Sequence, residues 1–250
     1  MDKEMNQFKM SDSFRKKLIA LAGIERKAFD NFVVGDSNAE AYQAAQEISC
    51  FTKDSISLLY LYGPMGVGKN HLLNAIRQQI GKEHPEKTIY MKVAETMASE
   101  IIWCLVKKED SEGLKEKYTH ADVFLLGDVH YLAEMSETVK DFITDVVKQL
   151  ILAKKKVVLT GDCPLEELKN QNICACDELE FCRQTLISAP DKQTCLAILK
   201  QECETRNLTC EESVLETIVE KSTGNVRDLL SILRRYEIET LKLVPENCTK

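Results

Sequence analysis

One glycine-rich segment limits the choice of fold more than any other part of the chain. Residues Gly63–Asn70 match the pattern G-x-x-x-x-G-K, in which Lys69 is the lysine. The apolar run Ser57–Tyr62 before it predicts a buried strand, and the apolar spacing within His71–Gly81 after it predicts a helix. Glycines at such a turn let backbone N–H groups converge on an anion, and the helix N-terminus adds partial positive charge. The segment predicts a phosphate-binding loop, with a chance glycine-rich turn as the alternative.

Strand and helix signals alternate along most of the chain, which predicts an α/β fold with a mostly parallel sheet covered by helices on both faces. The predicted strands are Ser57–Tyr62, Thr88–Val93, Val123–Leu126, Lys156–Thr160 and Thr185–Ser188. The predicted helices between them are Asn38–Cys50, His71–Gly81, Ala94–Val106, Ser111–Tyr118 and Thr138–Ala153. Ser37 followed by Glu40 suggests a capping box for the first of these helices.

After Pro190 the pattern changes to helices alone: Lys192–Arg206, Glu211–Ser222 and Val226–Leu241. We therefore expect a polar N-terminal segment at residues 1–28, with a short helix at Phe14–Ala22, then an α/β domain at 29–190. A small all-helical lid domain is expected at 191–250.

Acidic residues at strand ends are the next candidates for chemistry. A P-loop ATPase needs a carboxylate beside the loop to hold Mg²⁺ and orient water, and Asp128 after Val123–Leu126 is the best candidate. Two acidic residues usually stand there, but here the first position is Gly127. Asn70 takes the place of the usual Ser or Thr, and its carboxamide oxygen can also ligate a hard cation. Both departures, Asn70 and Gly127, therefore lie at the same predicted metal site, which Asn70 and Asp128 would form.

Two further polar positions can complete such a site. The strand that ends at Thr160 is expected between the other two, so that Thr160 or Asp162 would reach the γ-phosphate or the attacking water. Arg227, at the start of a helix in the C-terminal region, could reach back to the phosphates, or it could be a surface arginine.

The charge balance argues against a generic nucleic-acid coat protein. The 250 residues include 33 Lys and Arg against 40 Asp and Glu, a formal net charge of −7, whereas such proteins carry a basic excess. No apolar stretch approaches the roughly 20 residues that span a bilayer, and no signal peptide is recognisable. We expect a cytoplasmic protein that makes no membrane contact and whose ten cysteines are reduced thiols.

Several segments, in the same order, resemble the AAA+ ATPase core of the DnaA family of bacterial replication initiators, which includes the regulatory homologue Hda. The resemblance covers roughly residues 28–240. The segments that carry it are Phe29–Asn38 (FDNFVVGDSN), Tyr62–Ile76 (YGPMGVGKNHLLNAI), Lys117–Leu132 around the strand Val123–Leu126, Ala189–Leu199, and Asn225–Leu229 (NVRDL).

The resemblance implies that ATP or ADP binds between the α/β domain and the lid. The residues implied near adenine are Phe32, Val33, Val34 and Asn38. Those implied at the phosphates are Gly63, Pro64, Met65, Gly66, Val67, Gly68, Lys69, Asn70 and His71. The implied catalytic residues are Asp128 as the surviving Walker B acid, Asp162 in the sensor 1 segment and Arg227 as the sensor 2 arginine. Mg²⁺ would lie at Asn70 and Asp128, in a weakened site.

The departures from the family pattern point to weak hydrolysis. Besides Asn70 and Gly127, the family's arginine-finger position falls on Glu178, with Arg183 five residues away. The chain ends at Lys250, so we expect the family's DNA-binding helix-turn-helix domain to be absent.

We therefore expect an ATP- or ADP-binding protein of replication initiation or of its regulation, with weak or no hydrolysis. It would act through the replication initiator or other replication proteins, and it could form a homo- or hetero-oligomer. The sliding clamp is one such partner, for which Gln7–Met10 is a weak docking motif. The alternatives are an active ATPase that remodels single-stranded origin DNA or loads a helicase, and a nucleotide-independent adaptor.

Overall fold

The computed structural model describes residues 27–52 and 55–243. The predicted helix Phe14–Ala22 and the motif Gln7–Met10 lie outside these residues. In the described part of the chain, no helix is both long enough and apolar enough to cross a membrane, and the cysteines there carry free thiols.

Five parallel strands form one sheet in the order β2-β3-β4-β1-β5. Their bounds are β1 Leu58–Tyr62, β2 Ile89–Val93, β3 Val123–Gly127, β4 Lys156–Gly161 and β5 Arg183–Leu186. The predicted parallel α/β sheet is confirmed, with β4 between β3 and β1 as expected. Every residue of β3 and β4 is buried, because these inner strands are covered on both faces.

Nine α-helices accompany the sheet among the described residues. They are α1 Ala39–Ser49, α2 Lys69–Glu83, α3 Ala94–Lys107, α4 Ser111–Thr119, α5 Glu137–Leu152, α6 Leu165–Asn170, α7 Lys192–Arg206, α8 Glu212–Lys221 and α9 Val226–Leu243. Short 3-10 helices at Phe29–Asn31, Val129–Glu134 and Asp177–Phe181 were not predicted. Each is three to six residues long, too short for a helical period to show.

Two apolar clusters cover the two faces of the sheet. Leu59 and Leu61 of β1 pack with α1 and α2, whereas Tyr60 packs on the opposite face with α3 and α5. Alternate residues of a strand point to opposite faces, so one five-residue strand contributes to both layers.

The last three helices share a separate cluster, built around Leu199 of α7, Leu215 of α8 and Leu229 of α9. This matches the predicted change to an all-helical pattern after Pro190. The division of the chain near residue 190 stays a prediction.

Two local predictions are wrong. Helix α1 begins after Asn38, and the side chain of Ser37 makes no capping bond; its Oγ is buried without a partner. Strand β5 is Arg183–Leu186 rather than Thr185–Ser188, because its residues pair with Leu59–Tyr62 at the edge of the sheet. An edge strand need not be apolar throughout, so Arg183 and Gln184 gave no strand signal.

Candidate nucleotide site

The glycine-rich loop lies between β1 and α2 at the carboxyl end of the sheet, as predicted. Gly63 has a φ of +145°, and a Cβ atom there would lie 2.0 Å from the carbonyl oxygen of Ile187. Gly68 has a φ of +114°, and a Cβ there would lie 3.1 Å from the ring of Phe32. Positive φ and close neighbours therefore require glycine at both ends of the loop.

Lys69 is the first residue of α2 and is buried, with 6% of its surface exposed. Its Nζ donates to the carbonyl oxygens of Gly63 at 2.6 Å and Pro64 at 2.9 Å. Burial lowers the pKa of Lys69, the carboxylates of Asp128 and Asp162 oppose that shift, and Arg227 adds to it. The fold thus brings the three residues predicted to be catalytic within electrostatic reach of the loop lysine.

Asn70 and Asp128 meet directly, although 58 residues separate them along the chain. Asn70 Nδ2 donates to Asp128 Oδ2 at 3.1 Å. Gly127 lies beside them: a Cβ added to it would be 3.4 Å from Asn70 Oδ1, an ordinary van der Waals contact. The two departures from the P-loop pattern, Asn70 and Gly127, are therefore spatial neighbours.

This arrangement does not fit a resident Mg²⁺ ion. Magnesium in phosphate sites takes one or two protein carboxylates together with substrate oxygens and waters. Here an amide N–H of Asn70 points at Asp128 Oδ2, an oxygen that would otherwise be free to ligate the cation. Residue 127 is a glycine and supplies no second carboxylate beside Asp128.

Asp128 is in the left-handed region, with a φ of +59°, and its backbone N–H donates to Thr160 Oγ1 at 2.9 Å. Thr160 is fully buried. Of the two residues predicted at the end of β4, Thr160 therefore holds the backbone of Asp128. Asp162 is exposed, and its Oδ1 lies 3.7 Å from Nδ1 of His130.

A cleft lies beside the loop, between the sheet domain and the C-terminal helices. Phe32, Val33 and Asn38 line it, as predicted, whereas Val34 is 47% exposed and is not among its lining residues. Asn38 shapes this segment, because its Oδ1 accepts from Gly35 N–H and its Nδ2 donates to Val33 O. Those bonds set the direction of Val33, and its neighbour Val34 faces solvent instead.

His71 lies in the wall of this cleft. Its Nε2 lies 2.9 Å from the carbonyl oxygen of Ala28 and 3.0 Å from Asn31 Oδ1, and its ring contacts Phe32 edge-on. Burial lowers the pKa of His71, so the ring is neutral at pH 7. These contacts hold Ala28, Asn31 and Phe32 against α2.

The resemblance implied that the helical lid forms the opposite wall of the cleft, but the individual residues of that wall were not predicted. Its residues come from the β5–α7 connection and from helices α7 and α9: Ser188, Pro190, Ile198, Gln201, Glu202, Val226 and Leu230. Helical periodicity shows which face of α7 is apolar but not which turn meets another domain. Only the packing of α7–α9 against the loop reveals these residues.

The C-terminal helices contact the loop directly. Val226 N–H donates to Gly66 O at 3.1 Å, and the side chain of Asn225 accepts from Asp228 N–H at the start of α9. Arg227 is exposed, and its Cβ lies 3.2 Å from the position that a Cβ on Gly66 would occupy. The predicted sensor arginine is therefore adjacent to the phosphate loop.

The region of the predicted arginine finger carries no free guanidinium. Glu178 forms an ion pair with Lys148, with Oε1 3.5 Å from Nζ. Arg183 is paired with Glu47 of α1. The nearest arginine to the predicted finger position is thus engaged within its own subunit.

A parallel sheet in this order, a P-loop after β1, and a helical unit against the loop define a P-loop AAA+ ATPase fold. The family model described as the bacterial DnaA ATPase domain matches residues 24–175, more than half of the chain. The chain therefore belongs to the bacterial DnaA ATPase domain family.

Relatives and solved structures agree. The chain is 31% identical to the chromosomal replication initiator protein DnaA of Caldanaerobacter subterraneus subsp. tengcongensis, over 83% of this chain and 46% of that protein. It resembles domain III of the Thermotoga maritima replication initiation protein DnaA (TM-score 0.75, 25% identity, 88% of this chain, 92% of that one). It also resembles a replication initiator DnaA bound to AMPPCP and single-stranded DNA (TM-score 0.72, 25% identity, 87% and 65%). The chain spans about half the length of the relatives it matches.

Proposed function

We propose that the chain binds ATP or ADP at the loop Gly63–Gly68 and in the adjoining cleft. The observation that carries the proposal is the buried ammonium group of Lys69, which lies at the N-terminus of α2 beside a loop with glycines at its positive-φ positions. Loop N–H groups and the helix N-terminus would bind phosphate oxygens, and Lys69 would supply the full positive charge. Phe32, Val33 and Asn38 would contact the base, and α7–α9 would act as the lid.

The same geometry supports weak hydrolysis. Asp128 is the single carboxylate at the end of β3, and Asn70 holds it through a hydrogen bond. A water-activating group needs a free oxygen toward the γ-phosphate, and a neighbouring subunit would need a cationic finger. Gly127 stands at one of the two acidic positions, Glu178 stands at the finger position, and the nearby Arg183 is paired. We therefore propose that the chain binds the nucleotide and hydrolyses it slowly.

Steady-state phosphate release tests whether ATP hydrolysis is weak. We expect release near the background of a Lys69→Ala control. Substantial turnover that Asp128→Ala abolishes would instead identify an active ATPase, and absence of any ATP or ADP affinity in the wild type would identify a nucleotide-independent adaptor.

We propose that this nucleotide-bound state serves the initiation of bacterial chromosomal replication, or its regulation. The relatives are chromosomal replication initiators. The chain would act through contacts with the initiator or other replication proteins, including the sliding clamp, and through oligomers with them. Affinity capture of purified initiator and clamp, with ATP and without nucleotide, tests the partners. If neither the initiator nor the clamp is retained, a regulatory role is contradicted.

A second candidate function is direct action on origin DNA. It is favoured by the likeness to the DnaA structure that contains single-stranded DNA. ATP-dependent retention of a single-stranded origin oligonucleotide, abolished by Lys69→Ala, would support this candidate over the regulatory one.

Replacing Phe32 with alanine is expected to weaken nucleotide binding roughly fivefold, about 1 kcal/mol of lost ring contact. Phe32 lines the cleft, stacks on Tyr42 and lies against Gly68. Titration with a fluorescent ATP analogue measures the change. Val34→Ala is the matched control, since Val34 is two residues away but exposed, and it should leave the affinity unaltered. Equal losses in both variants would place the base elsewhere.

Replacing Arg227 with alanine is expected to weaken ATP binding about fivefold and ADP binding less. Arg227 lies in the first turn of α9 beside Gly66 of the loop, and its positive charge would favour the additional phosphate charge of ATP. Competition titrations with the two nucleotides measure the ratio. Arg234→Ala serves as control: it lies on the same helix, about 10 Å further along its axis. An unchanged ATP-to-ADP ratio in Arg227→Ala would show that this arginine does not sense the nucleotide.

A further inference from the structure

Four lysines converge on a cavity at the amino end of the sheet, the end opposite the nucleotide loop. The cavity has a volume of about 390 Å³, and the lysines that line it are Lys87, Lys154, Lys155 and Lys156. We name them the amino-end lysine cluster. The length of β1 places this end of the sheet about 13 Å from the loop, so the cavity is distinct from the nucleotide site.

Lys156 is the most unusual member of the cluster. It is 6% exposed, and its Nζ donates to Ser55 Oγ at 3.1 Å and to Ile56 O at 2.9 Å while lying over the ring of Phe51. No carboxylate among the described residues lies within ion-pair distance of it. A buried ammonium group is costly unless a negative charge compensates it. Burial also lowers the pKa of Lys156.

The remaining charges leave the cavity strongly positive. Among the described residues of its lining, Asp122 is the one acidic residue, and its carboxylate is already engaged by Lys155 Nζ at 3.0 Å and by Thr88 N–H at 3.1 Å. Lys87 Nζ lies 5.4 Å from the centre of the Phe51 ring, and Lys154 is exposed. The described residues of the lining therefore include four lysines and one carboxylate, which is already engaged, in a chain whose net charge is −7.

We propose that the amino-end lysine cluster binds the phosphate groups of an anionic ligand. Lysine is a point-charge donor that suits phosphate oxygens, and the ligand would neutralise the charge that Asp122 leaves uncompensated. The phosphates can come from two sources, a free phosphate or pyrophosphate anion and the backbone of a nucleic acid. Neither source involves the glycine-rich loop, so this site is independent of the proposed nucleotide binding.

The test uses the full chain carrying Lys69→Ala, which silences phosphate binding at the loop. Pyrophosphate is titrated by calorimetry, and a fluorescein-labelled oligothymidylate by anisotropy. Lys87→Ala and Lys154→Ala are then added together. We expect them to weaken the binding of pyrophosphate or of the oligonucleotide, whichever binds, at least tenfold. Binding of pyrophosphate alone would identify the free anion as the source, and binding of the oligonucleotide would identify nucleic acid; either result supports the site.

Lys108→Ala is the matched control. Lys108 and Lys154 are both exposed lysines in the left-handed conformation just past a helix C-terminus, with φ values of 54° and 56°. The control should change affinity less than twofold. The proposal is overturned if neither ligand binds at millimolar concentration, if Lys108→Ala weakens binding as much as the paired substitution, or if polyglutamate binds and phosphates do not.

Discussion

Replacing Lys69 with alanine is expected to lower the affinity for ATP and for ADP about 100-fold. The substitution removes the one ammonium group buried in the loop, and a charge-assisted hydrogen bond to phosphate contributes about 1.5–3 kcal/mol. Calorimetric titration with each nucleotide measures the loss. Both nucleotides should be affected, because both carry the β-phosphate that the loop lysine reaches.

A second buried lysine provides the control for this experiment. Lys140 is 7% exposed, and its Nζ donates to Glu137 and to the carbonyl oxygen of Gln171, far from the loop. Lys140→Ala should lower the midpoint of thermal unfolding yet preserve nucleotide affinity. If Lys69→Ala binds ATP as tightly as the wild type, the loop is not the nucleotide site and the nucleotide binds elsewhere on the chain.

Magnesium is expected to change the affinity of the wild-type chain for ATP by less than about threefold, or about 0.6 kcal/mol. The reason is the side-chain arrangement around the loop: the amide of Asn70 occupies one oxygen of Asp128, and Gly127 contributes no ligand. Titrations of ATP in excess Mg²⁺ and in EDTA measure the ratio.

Restoring the usual side chains should create the dependence that the wild type lacks. In the double variant Asn70→Thr with Gly127→Asp, a hydroxyl and a second carboxylate face the phosphates, and Mg²⁺ should tighten ATP binding at least about tenfold. The space exists, because a Cβ on residue 127 makes only ordinary contacts. Gly127→Asn alone keeps the Asn70–Asp128 hydrogen bond and adds the same bulk at residue 127 without the charge, and it should remain insensitive. A wild-type chain already tenfold dependent on Mg²⁺ would disprove our interpretation of the Asn70–Asp128 bond.

Much of the fold follows from local sequence patterns. The apolar runs that became β1, β3 and β4, the amphipathic helix α5 and the helix Lys192–Arg206 all lie within one residue of their predicted bounds. Their signals are strong because buried inner strands are apolar throughout and amphipathic helices repeat over several turns. The edge strand β5 and the three 3-10 helices failed this test, because a half-exposed or single-turn element has no such pattern.

The residues of the candidate site also differ in whether a local sequence pattern could predict them. The loop, Lys69 and Asp128 could be named from the sequence, because a strand followed by glycines and a lysine, or by a carboxylate, is a local arrangement. Val34 could not be separated from Val33, since the bonds of Asn38 decide which of the two faces the cleft. Thr160 was an equal candidate with Asp162 until the fold placed its hydroxyl against the backbone of Asp128.

The sequence by itself therefore determined the type of sheet, the phosphate loop and the identity of its charged residues. Only the tertiary structure decided that Asn70 and Asp128 are hydrogen-bonded, that α7 and α9 form the far wall of the cleft, and that Lys87 joins Lys154–Lys156. The physical reason is common to all three. Parallel strands bring their carboxyl ends to one edge and their amino ends to the other, and the C-terminal helices pack against the loop at the carboxyl edge. Side chains distant in sequence meet at both edges, and no local periodicity records which of them will touch.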